Sequence, residues 1–474
     1  MYTISGDIVT PDGALRGGVL TVDDAGDIAE VGARRAAPAR SGDIDASGLL
    51  VLPGFVDMHV HGGGGADFMH GTTEAARLVA RTHARFGTTS LLATTLTASR
   101  DDTDRAVSAA REVIEAGPGE GEAHILGIHL EGPYICAARR GAQPLAFVRP
   151  PDTDELAHWI ALSGQTVRQI TLAPELAGAE AVIKAARAND IIVSLGHTDA
   201  KATDVLTAIG WGATQATHTF NAMRGLHHRE PGTVGAVLAR PEIICEVIAD
   251  GVHLDPLIVR LIVAAKGASG AILITDAIEG AAMPDGEYAL GGQTIFVRDG
   301  TAAFADGTLA GSVLTMNRAF VNVMGFAGVG ACEAARLSSG NAARQIGVSG
   351  RRGEIAPGLA ADLVILHPET GAVAWTLVGG RVAWRGEWEA SGESGVEAIL
   401  GQAGLHRPLR CLRPPLAGGA ALPVRQGNGP DHRRREPQHE MAPAPAGTGA
   451  PLVRGPPEDR GRSVRVLQAV GGRT

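Results

Sequence analysis

The alternation of apolar and polar residues changes character twice along the first 389 residues. Residues 1–52 show short runs of alternating apolar residues separated by turns, a pattern that is typical of β-strands. Between residue 53 and about residue 348, apolar runs of strand length alternate with amphipathic segments of about ten to fifteen residues. Residues 349–389 return to β alternation. The pattern therefore predicts a long α/β segment between two short β-segments.

The long segment contains eight consecutive strand-and-helix units. Its predicted strands are residues 55–61, 89–95, 125–131, 168–173, 191–196, 214–219, 243–249 and 271–275. Helices are predicted at residues 73–86, 102–115, 154–163, 180–188, 201–209, 256–266, 314–324 and 332–345. A loop is predicted at residues 220–232, and a β-hairpin at residues 287–304. Such a repeat predicts a (β/α)8 TIM-type barrel, whose active sites lie at the C-terminal ends of the strands.

The two short β-segments predict one further domain. We expect residues 1–52 and 349–389 to form a small β-sandwich-like domain from both chain ends, and residues 53–348 to form a metal-dependent barrel. Residues 390–474 are rich in arginine, proline and glycine and show no sustained periodicity. This composition predicts a mostly disordered tail, with a basic interaction tail as the alternative.

Composition and charge narrow the class of protein. The net charge of −9 argues against a general nucleic-acid binder, but it leaves room for a small anionic substrate. No apolar run approaches the length of a membrane span, and the first residues show no export signal. The four cysteines are scattered without a CxxC pair, which fits a reducing compartment. We therefore expect a cytoplasmic protein with neither nucleic-acid nor membrane partners.

Two histidines end the first predicted barrel strand. His59 and His61 are two residues apart, so both side chains point to the same face of the strand. Neighbouring neutral imidazoles can form half of a divalent-metal site, although an isolated pair of this kind is more often structural.

Polar residues also follow five other barrel strands. They are Glu131, His197, His218, His253 and Asp276. Burying so many polar groups at one end of a barrel costs free energy unless a metal and a polar substrate compensate for it. Glu131, His197 and His218 supply the carboxylate and two imidazoles that suit Zn²⁺ or Fe²⁺ with an open position.

A second metal and an acid/base group complete the predicted chemistry. His59 and His61 could hold a second ion, with the two oxygens of Glu131 bridging both ions. Asp276 would face the attacking water, take its proton and deliver that proton to the leaving group. This arrangement predicts hydrolysis of a carbonyl substrate.

The lysines exclude one common alternative. Many two-metal barrel hydrolases bridge their metals through a carboxylated lysine at the end of the fourth strand. The three lysines of this chain all fall in predicted helices. Glu131 is therefore the best bridging candidate, and Glu175 is a competitor for which a structural role is favoured.

Seven motifs, in this order, carry a resemblance to a known family. They are PGFVDMHVHG (53–62), HLEGPY (129–134), GHT (196–198), THTFNAM (217–223), REPG (229–232), DGVH (250–253) and TDA (275–277). Over residues 1–389 the chain resembles the N-acetylglucosamine-6-phosphate deacetylases of the amidohydrolase superfamily. The resemblance implies hydrolysis of the acetamide of N-acetyl-D-glucosamine 6-phosphate in amino-sugar catabolism or cell-wall recycling.

The resemblance also implies residue roles. Glu131, His197 and His218 match the principal metal ligands, and Asp276 matches the catalytic acid/base. Substrate contacts are implied for Ala142, Gln143, Asn221, Ala222, Arg229, His253, Leu309, Ala310 and Gly311. Arg229 and His253 match groups that bind the sugar phosphate, and a guanidinium suits a dianionic phosphate.

Three features of the resemblance concern the partner subunit, the metals and the acetyl group. Some phosphate contacts in the family come from the neighbouring subunit, which implies a homodimer. Intact His59 and His61 allow two metals, whereas some members lack these ligands and use one. Gln143 stands where many members have a histidine that helps to polarise the acetyl carbonyl. Gln143 can donate a hydrogen bond but cannot carry a positive charge.

Two rival functions remain open on the sequence. One is a related amidohydrolase that acts on another N-acyl amino sugar or on a cyclic amide. The other is a catalytically inactive protein that binds sugar phosphates on the same scaffold. The complete metal set and the intact Asp276 argue against the inactive protein.

Overall fold

The computed structural model describes residues 1–33 and 42–386, so the predicted tail at residues 390–474 lies outside the described residues. The strands are β1 Tyr2–Thr10, β2 Gly13–Val22, β3 Ile28–Ala33, β4 Ile44–Pro53, β5 Phe55–Val60, β6 Gly62–Gly63, β7 Ala66–Asp67, β8 Thr88–Thr95, β9 His124–Glu131, β10 Val167–Leu172, β11 Ile192–Leu195, β12 Gln215–Ala216, β13 Ile244–Ile248, β14 Ala271–Ile274, β15 Gly286–Leu290, β16 Gln293–Arg298, β17 Thr301–Ala303, β18 Leu363–Leu366, β19 Val373–Val378 and β20 Arg381–Arg385. The α-helices are α1 Thr73–Ala84, α2 Arg100–Ala116, α3 Thr153–Leu162, α4 Ala179–Ala188, α5 Ala202–Trp211, α6 Gly232–Ala239, α7 Pro256–Lys266, α8 Met316–Ala327, α9 Ala331–Ala335 and α10 Asn341–Gln345. A π-helical turn joins α9 to α10.

Eight parallel strands form the predicted barrel. They are hydrogen-bonded in the order β5-β8-β9-β10-β11-β12-β13-β14. Strands such as β8 are buried along their whole length because helices cover one face and the barrel interior the other, which explains their continuous apolar runs. The main chain closes the barrel just beyond β14. There the Asp276 amide donates to the His59 carbonyl at 2.8 Å, and the His61 amide donates to the Ala277 carbonyl at 2.9 Å. The TIM-type barrel predicted from the sequence is confirmed.

The sixth barrel unit differs from the prediction. Its strand β12 ends at Ala216, whereas the sequence predicted a strand to residue 219. His218 and Phe220 have φ values of 29° and 82°, which a strand cannot accommodate. Helix α6 then follows at Gly232–Ala239, where no helix was predicted. Five of its eight residues are buried, so it lacks the alternation of polar and apolar faces by which a surface helix is recognised.

Both ends of the chain contribute to one mixed sheet. Its seven strands are ordered β20-β19-β18-β4-β1-β2-β3, with β4 parallel to β1 and antiparallel to β18. Ile4 and Val51 from the first part pack with Leu363 and Ile365 from the second part in one apolar core. The expected domain built from both chain ends is therefore present. Strand β4 leads into barrel strand β5 across a single residue, Gly54.

A small antiparallel sheet follows the eighth barrel strand. It consists of β15, β16 and β17, one strand more than the predicted hairpin. Its apolar residues, including Leu290 and Ile295, pack with Leu96 and Ile278 above the barrel. This packing holds the sheet beside the C-terminal ends of the strands, where it forms one wall of the cavity described below. No α-helix within the described ranges is long and apolar enough to cross a membrane.

Candidate active site

The C-terminal ends of the barrel strands bring six of the predicted residues together. Glu131 ends β9, and His197 and His218 lie just beyond β11 and β12. The Nε2 atoms of these two histidines each lie 3.1 Å from Glu131 Oε1 and 3.0 Å from one another. All three residues are at most 5% exposed. They form the first of two groups of donor atoms, here called the Glu131 group.

The second group, here called the Asp276 group, also adjoins Glu131. It consists of His59, His61 and Asp276. The Nε2 atoms of the two histidines are 3.3 Å apart and lie 3.4 and 3.3 Å from Asp276 Oδ1. They also lie 3.4 Å from Glu131 Oε1 and 3.3 Å from Glu131 Oε2, respectively. Glu131 therefore contacts every histidine of both groups.

The hydrogen bonds behind these rings indicate that the two groups fit a cation. His197 Nδ1 lies 3.0 Å from the Arg139 carbonyl, and His59 Nδ1 lies 3.1 Å from a carboxylate oxygen of Glu246. Both partners only accept, so each Nδ1 carries a hydrogen, and the Nε2 atom of each ring faces the carboxylate of Glu131, where it can coordinate a cation in the neutral form of the ring. An Nε2 lone pair and a carboxylate oxygen repel each other unless a positive charge lies between them. Outer partners of this kind are what metal-binding histidines have.

The charges of the buried groups lead to the same conclusion. Burial by itself lowers the pKa of His59, but the negative charges of Glu131 and Asp276 raise that pKa well above its ordinary value. Burial by itself raises the pKa of Glu131, but His59 and His197 hold that pKa well below its ordinary value. The carboxylates of Glu131 and Asp276 are thus stabilised by positive charge at the cavity floor. Either protons on the histidine rings or a divalent cation can supply this charge.

Three of the converging residues have an unusual backbone. The φ values of His197, His218 and Asp276 are 48°, 29° and 52°, in the left-handed region that favours glycine. Main-chain hydrogen bonds hold them there, for example the bond from the Ser312 amide to the Asp276 carbonyl at 2.7 Å. Such positions cost about 1–3 kcal/mol each and concentrate at functional sites. The turns direct each side chain inward across the end of the barrel.

A cavity of about 300 Å³ opens above these residues. Most of the predicted substrate contacts line it, namely Ala142, Gln143, Asn221, Ala222, His253, Leu309 and Gly311. Its wall also contains residues that the sequence analysis did not single out, namely Leu96, Gly141, Leu290 and Thr308. The volume lies at the lower end of the range typical of small-molecule sites.

Two of the predicted substrate-binding residues do not line the cavity. Ala310 is fully buried in the apolar cluster under the small antiparallel sheet, because its neighbours Leu309 and Gly311 take the cavity-facing positions. Arg229 lies on an exposed loop outside the cavity wall, and its guanidinium is 2.8 Å from His228 Nε2. Within a single chain, Arg229 therefore makes no contact with the cavity.

Gln143 is fixed at both ends of its amide. Its Oε1 accepts a hydrogen bond from the Thr97 amide at 2.7 Å, and its Nε2 donates to Glu131 Oε2 at 2.5 Å. The bond from Thr97 fixes the Gln143 amide, and that amide in turn holds the Glu131 carboxylate. The second N–H of the amide remains available to a ligand in the cavity.

His253 is paired with a carboxylate at the edge of the cavity. Its Nδ1 lies 2.7 Å from Asp250 Oδ2, so the other ring nitrogen is free to face a ligand. Burial by itself lowers the pKa of His253, but the hydrogen bond and the charge of Asp250 raise it above its ordinary value. Asp276 raises this pKa further. His253 is thus suited to carry a positive charge near an anionic group.

Glu175, the competing bridging candidate, and the nearby Arg224 both have partners outside the cavity. Glu175 accepts hydrogen bonds from the Thr198 hydroxyl at 2.5 Å and from the Asp199 amide at 2.6 Å, so it holds the turn after His197. Arg224 is paired with Asp199 at 2.5 Å and with Glu230 at 2.7 Å. Neither side chain lines the cavity.

Glu246 is not among the residues predicted from the sequence, yet its carboxylate contacts His59 Nδ1 and the main-chain amide of His218. A signal for it exists, because Glu246 is the only charged residue of the apolar strand Ile244–Ile248. A lone carboxyl in a fully buried strand must find hydrogen-bond donors inside the barrel.

Comparisons with known proteins agree with this geometry. The amidohydrolase family model matches residues 50–383. The chain is 39% identical over 380 residues to N-acetylglucosamine-6-phosphate deacetylase from Bacillus subtilis, covering 80% of this chain and 95% of that one. It is 38% identical over 318 residues to N-acetylgalactosamine-6-phosphate deacetylase from Escherichia coli O157:H7, covering 67% of this chain and 83% of that one.

A solved structure extends the similarity to the whole fold. It shows an alanine variant of N-acetyl-D-glucosamine-6-phosphate deacetylase from Mycobacterium smegmatis in complex with N-acetyl-D-glucosamine 6-phosphate. Its TM-score with this chain is 0.76 at 35% identity, and the match covers 81% of this chain and 99% of that one. The resemblance inferred from the seven motifs is therefore confirmed. The chain belongs to the amidohydrolase family and, within it, to the N-acetylglucosamine-6-phosphate deacetylases.

Proposed function

We propose that this chain hydrolyses the acetamide of N-acetyl-D-glucosamine 6-phosphate to D-glucosamine 6-phosphate and acetate. One observation carries the proposal. Four histidine Nε2 atoms and two carboxylates meet at the floor of a cavity of small-molecule size. The named activities of relatives that match most of the chain support the same reaction.

The site is proposed to hold one or two divalent cations, Zn²⁺ or Fe²⁺. The Glu131 group would hold the first, and His59 and His61 would hold the second, with Glu131 between them. A bound cation supplies a Lewis acid that polarises the acetyl carbonyl and makes a water molecule nucleophilic near neutral pH. Gln143 would fix the bridging carboxylate and offer its free N–H to the acetyl oxygen.

Asp276 is the proposed acid/base. Its Oδ1 lies between the rings of His59 and His61, and its side chain borders the cavity. The carboxylate would accept a proton from the water as the new carbon–oxygen bond forms. It would then give that proton to the amide nitrogen as the carbon–nitrogen bond breaks. The products are acetate and the amine of the sugar.

The phosphate end of the substrate is assigned to His253 and Arg229. His253 borders the cavity and is paired with Asp250, which favours its cationic form. Arg229 is exposed and outside its own cavity, so we propose that it reaches the phosphate bound by a partner subunit in a homodimer. The remaining wall residues, such as Asn221 and Ala222, would contact the sugar.

The direct test is an acetate-release assay on the metal-loaded chain with N-acetyl-D-glucosamine 6-phosphate. We expect turnover by the native chain. We also expect loss of turnover in Asp276→Asn at nearly normal metal content of the Glu131 group, because the amide cannot accept the proton. Turnover by Asp276→Asn at the native rate would refute this role of Asp276. A native chain that binds the sugar phosphate but releases no acetate would support an inactive binding protein instead.

A second substrate has a specific observation in its favour, the similarity to an N-acetylgalactosamine-6-phosphate deacetylase. The two substrates differ at a single hydroxyl configuration, which the wall residues would have to distinguish. Comparing kcat/KM for both phosphorylated sugars decides between them. We expect the higher value with the glucosamine derivative, and the reverse order would reassign the substrate.

A further inference from the structure

A polar layer fills the barrel immediately beneath the candidate metal ligands. Its centre is Glu246 on strand β13, whose side chain is 0% exposed. Oε1 of Glu246 accepts from the amides of Gln169 at 2.7 Å and Gln215 at 2.6 Å. These two glutamines are also fully buried, and Gln215 Nε2 donates to Gln169 Oε1 at 2.9 Å. Strands β10, β12 and β13 therefore hold the carboxyl rigidly in the barrel interior.

The other oxygen of Glu246 contacts both groups of metal-binding candidates. Oε2 accepts from His59 Nδ1 at 3.1 Å and from the main-chain amide of His218 at 3.1 Å. The Glu246 carbonyl also accepts from the Thr219 amide at 2.9 Å. Glu246 thus orients the ring of His59 and pins the left-handed turn that presents His218.

The Nδ1 atoms of the four histidines differ in their hydrogen-bond partners. His197 Nδ1 donates to a main-chain carbonyl, whereas the Nδ1 atoms of His61 and His218 have no hydrogen-bond partner among the described residues. His59 has a carboxylate behind its Nδ1. A carboxylate behind a ligand ring fixes the tautomer, orients the ring and increases the basicity of Nε2. His59 is therefore the ring of the Asp276 group whose orientation the protein fixes in advance.

We propose that Glu246 is a positioning residue that determines the affinity of the second cation, held by His59 and His61. By keeping the hydrogen on Nδ1 of His59, it leaves the Nε2 lone pair free for the cation. Without this acceptor, the hydrogen can move to Nε2 and block coordination. This inference rests on the proposed two-metal site.

The test compares the native chain with Glu246→Gln and Glu246→Met. Zn²⁺ binding is measured by equilibrium dialysis in chelator-buffered Zn²⁺, and thermal unfolding is followed in parallel. We expect two Zn²⁺ per native chain. In Glu246→Met one of the two dissociation constants should rise about 10–100-fold, while the other changes far less. In Glu246→Gln, which keeps an acceptor but not the charge, the same constant should rise about tenfold.

A matched control separates positioning from general destabilisation. Glu122 is another buried carboxyl, paired with Arg77 and Arg81 at 2.7 Å each, and it does not line the cavity. Glu122→Gln should lower the Tm and leave both Zn²⁺ affinities unchanged. In a His59→Ala background, Glu246→Gln should have no further effect on the remaining Zn²⁺, because its effect passes through the missing ring.

The outcomes are distinguishable. If the native chain binds two Zn²⁺ and the folded Glu246 variants keep both at native affinity, the role of Glu246 is overturned and the two-metal site stands. A native chain that binds a single Zn²⁺ overturns the two-metal site together with this role. If the Glu246 variants raise both Zn²⁺ dissociation constants by the same factor, that result also contradicts the proposal. If Glu246→Met fails to fold, Glu246→Gln, which differs little in size from the native side chain, decides the question.

Discussion

Replacing Asp250 by asparagine should shift the pH range over which the phosphate group is bound. His253 Nδ1 lies 2.7 Å from Asp250 Oδ2, and the two side chains are 7% and 10% exposed. Asparagine keeps the shape and can still accept the hydrogen bond, but it removes the charge. A hydrogen bond to a charged group contributes about 1.5–3 kcal/mol. Loss of the negative charge should therefore lower the pKa of His253 from its raised value in the native chain.

The sign of the effect follows from the direction of the pKa shift. Asp250 raises the pKa of His253, so in the native chain the imidazole stays cationic to a higher pH than an ordinary histidine. KM for the sugar phosphate should therefore rise as pH increases through that pKa. In Asp250→Asn the same rise should begin at a lower pH, because the charge that raises the pKa of His253 is gone. The loss of a charge-assisted contact with the phosphate corresponds to an increase in KM of about 10- to 100-fold.

The assay is KM for N-acetyl-D-glucosamine 6-phosphate between about pH 7 and 9.5, where a phosphate monoester stays dianionic. His253→Gln is the matched control, because it should raise KM at every pH. When His253 is replaced by glutamine, Asp250→Asn should no longer change the pH profile of KM. We expect kcat to change little, since both residues are assigned to the phosphate end of the substrate and not to the acetyl group. Identical KM profiles for the native chain and Asp250→Asn would refute the assignment of His253 to the phosphate.

The other predictions concern the metals and the subunit contact. Replacing both His59 and His61 by asparagine should remove about one equivalent of metal, measured by elemental analysis after dialysis; unchanged stoichiometry would exclude these residues as ligands. Arg229→Ala should raise KM about 10- to 100-fold for the phosphorylated sugar and leave KM for the unphosphorylated sugar unchanged. A gel-filtration mass of a single chain would contradict the proposal that Arg229 acts in a partner's site. Removing the metal with a chelator should lower the Tm, because the carboxylates of Glu131 and Asp276 lose the cation that pairs them; Zn²⁺ should restore it.

Much of the architecture follows from local sequence. Strand and helix patterns identified the barrel, since a parallel sheet covered on both faces needs continuous apolar runs in its strands and amphipathic helices between them. The position of a residue at the end of a strand then placed it on the catalytic face without further information. This is why Glu131, His197 and Asp276 could be proposed together from residues far apart in the chain.

Other features depended on contacts between distant segments. The cavity-facing positions around Ala310 depend on the way the small antiparallel sheet packs on the barrel. The exposure of Arg229 depends on the path of a loop whose residues are polar in any conformation. Helix α6 is buried on most sides, so its sequence carries no amphipathic signal.

The sequence by itself determined which chemical groups this protein has and at which end of the barrel they lie. The tertiary structure decided which of them touch. The pairing of His59 with Asp276 arises where the last strand closes on the first, and the support of His59 by Glu246 joins residues that are 187 positions apart. Strand periodicity fixes the face and height of a side chain, but distances of about 3 Å between side chains also require the curvature and closure of the whole barrel.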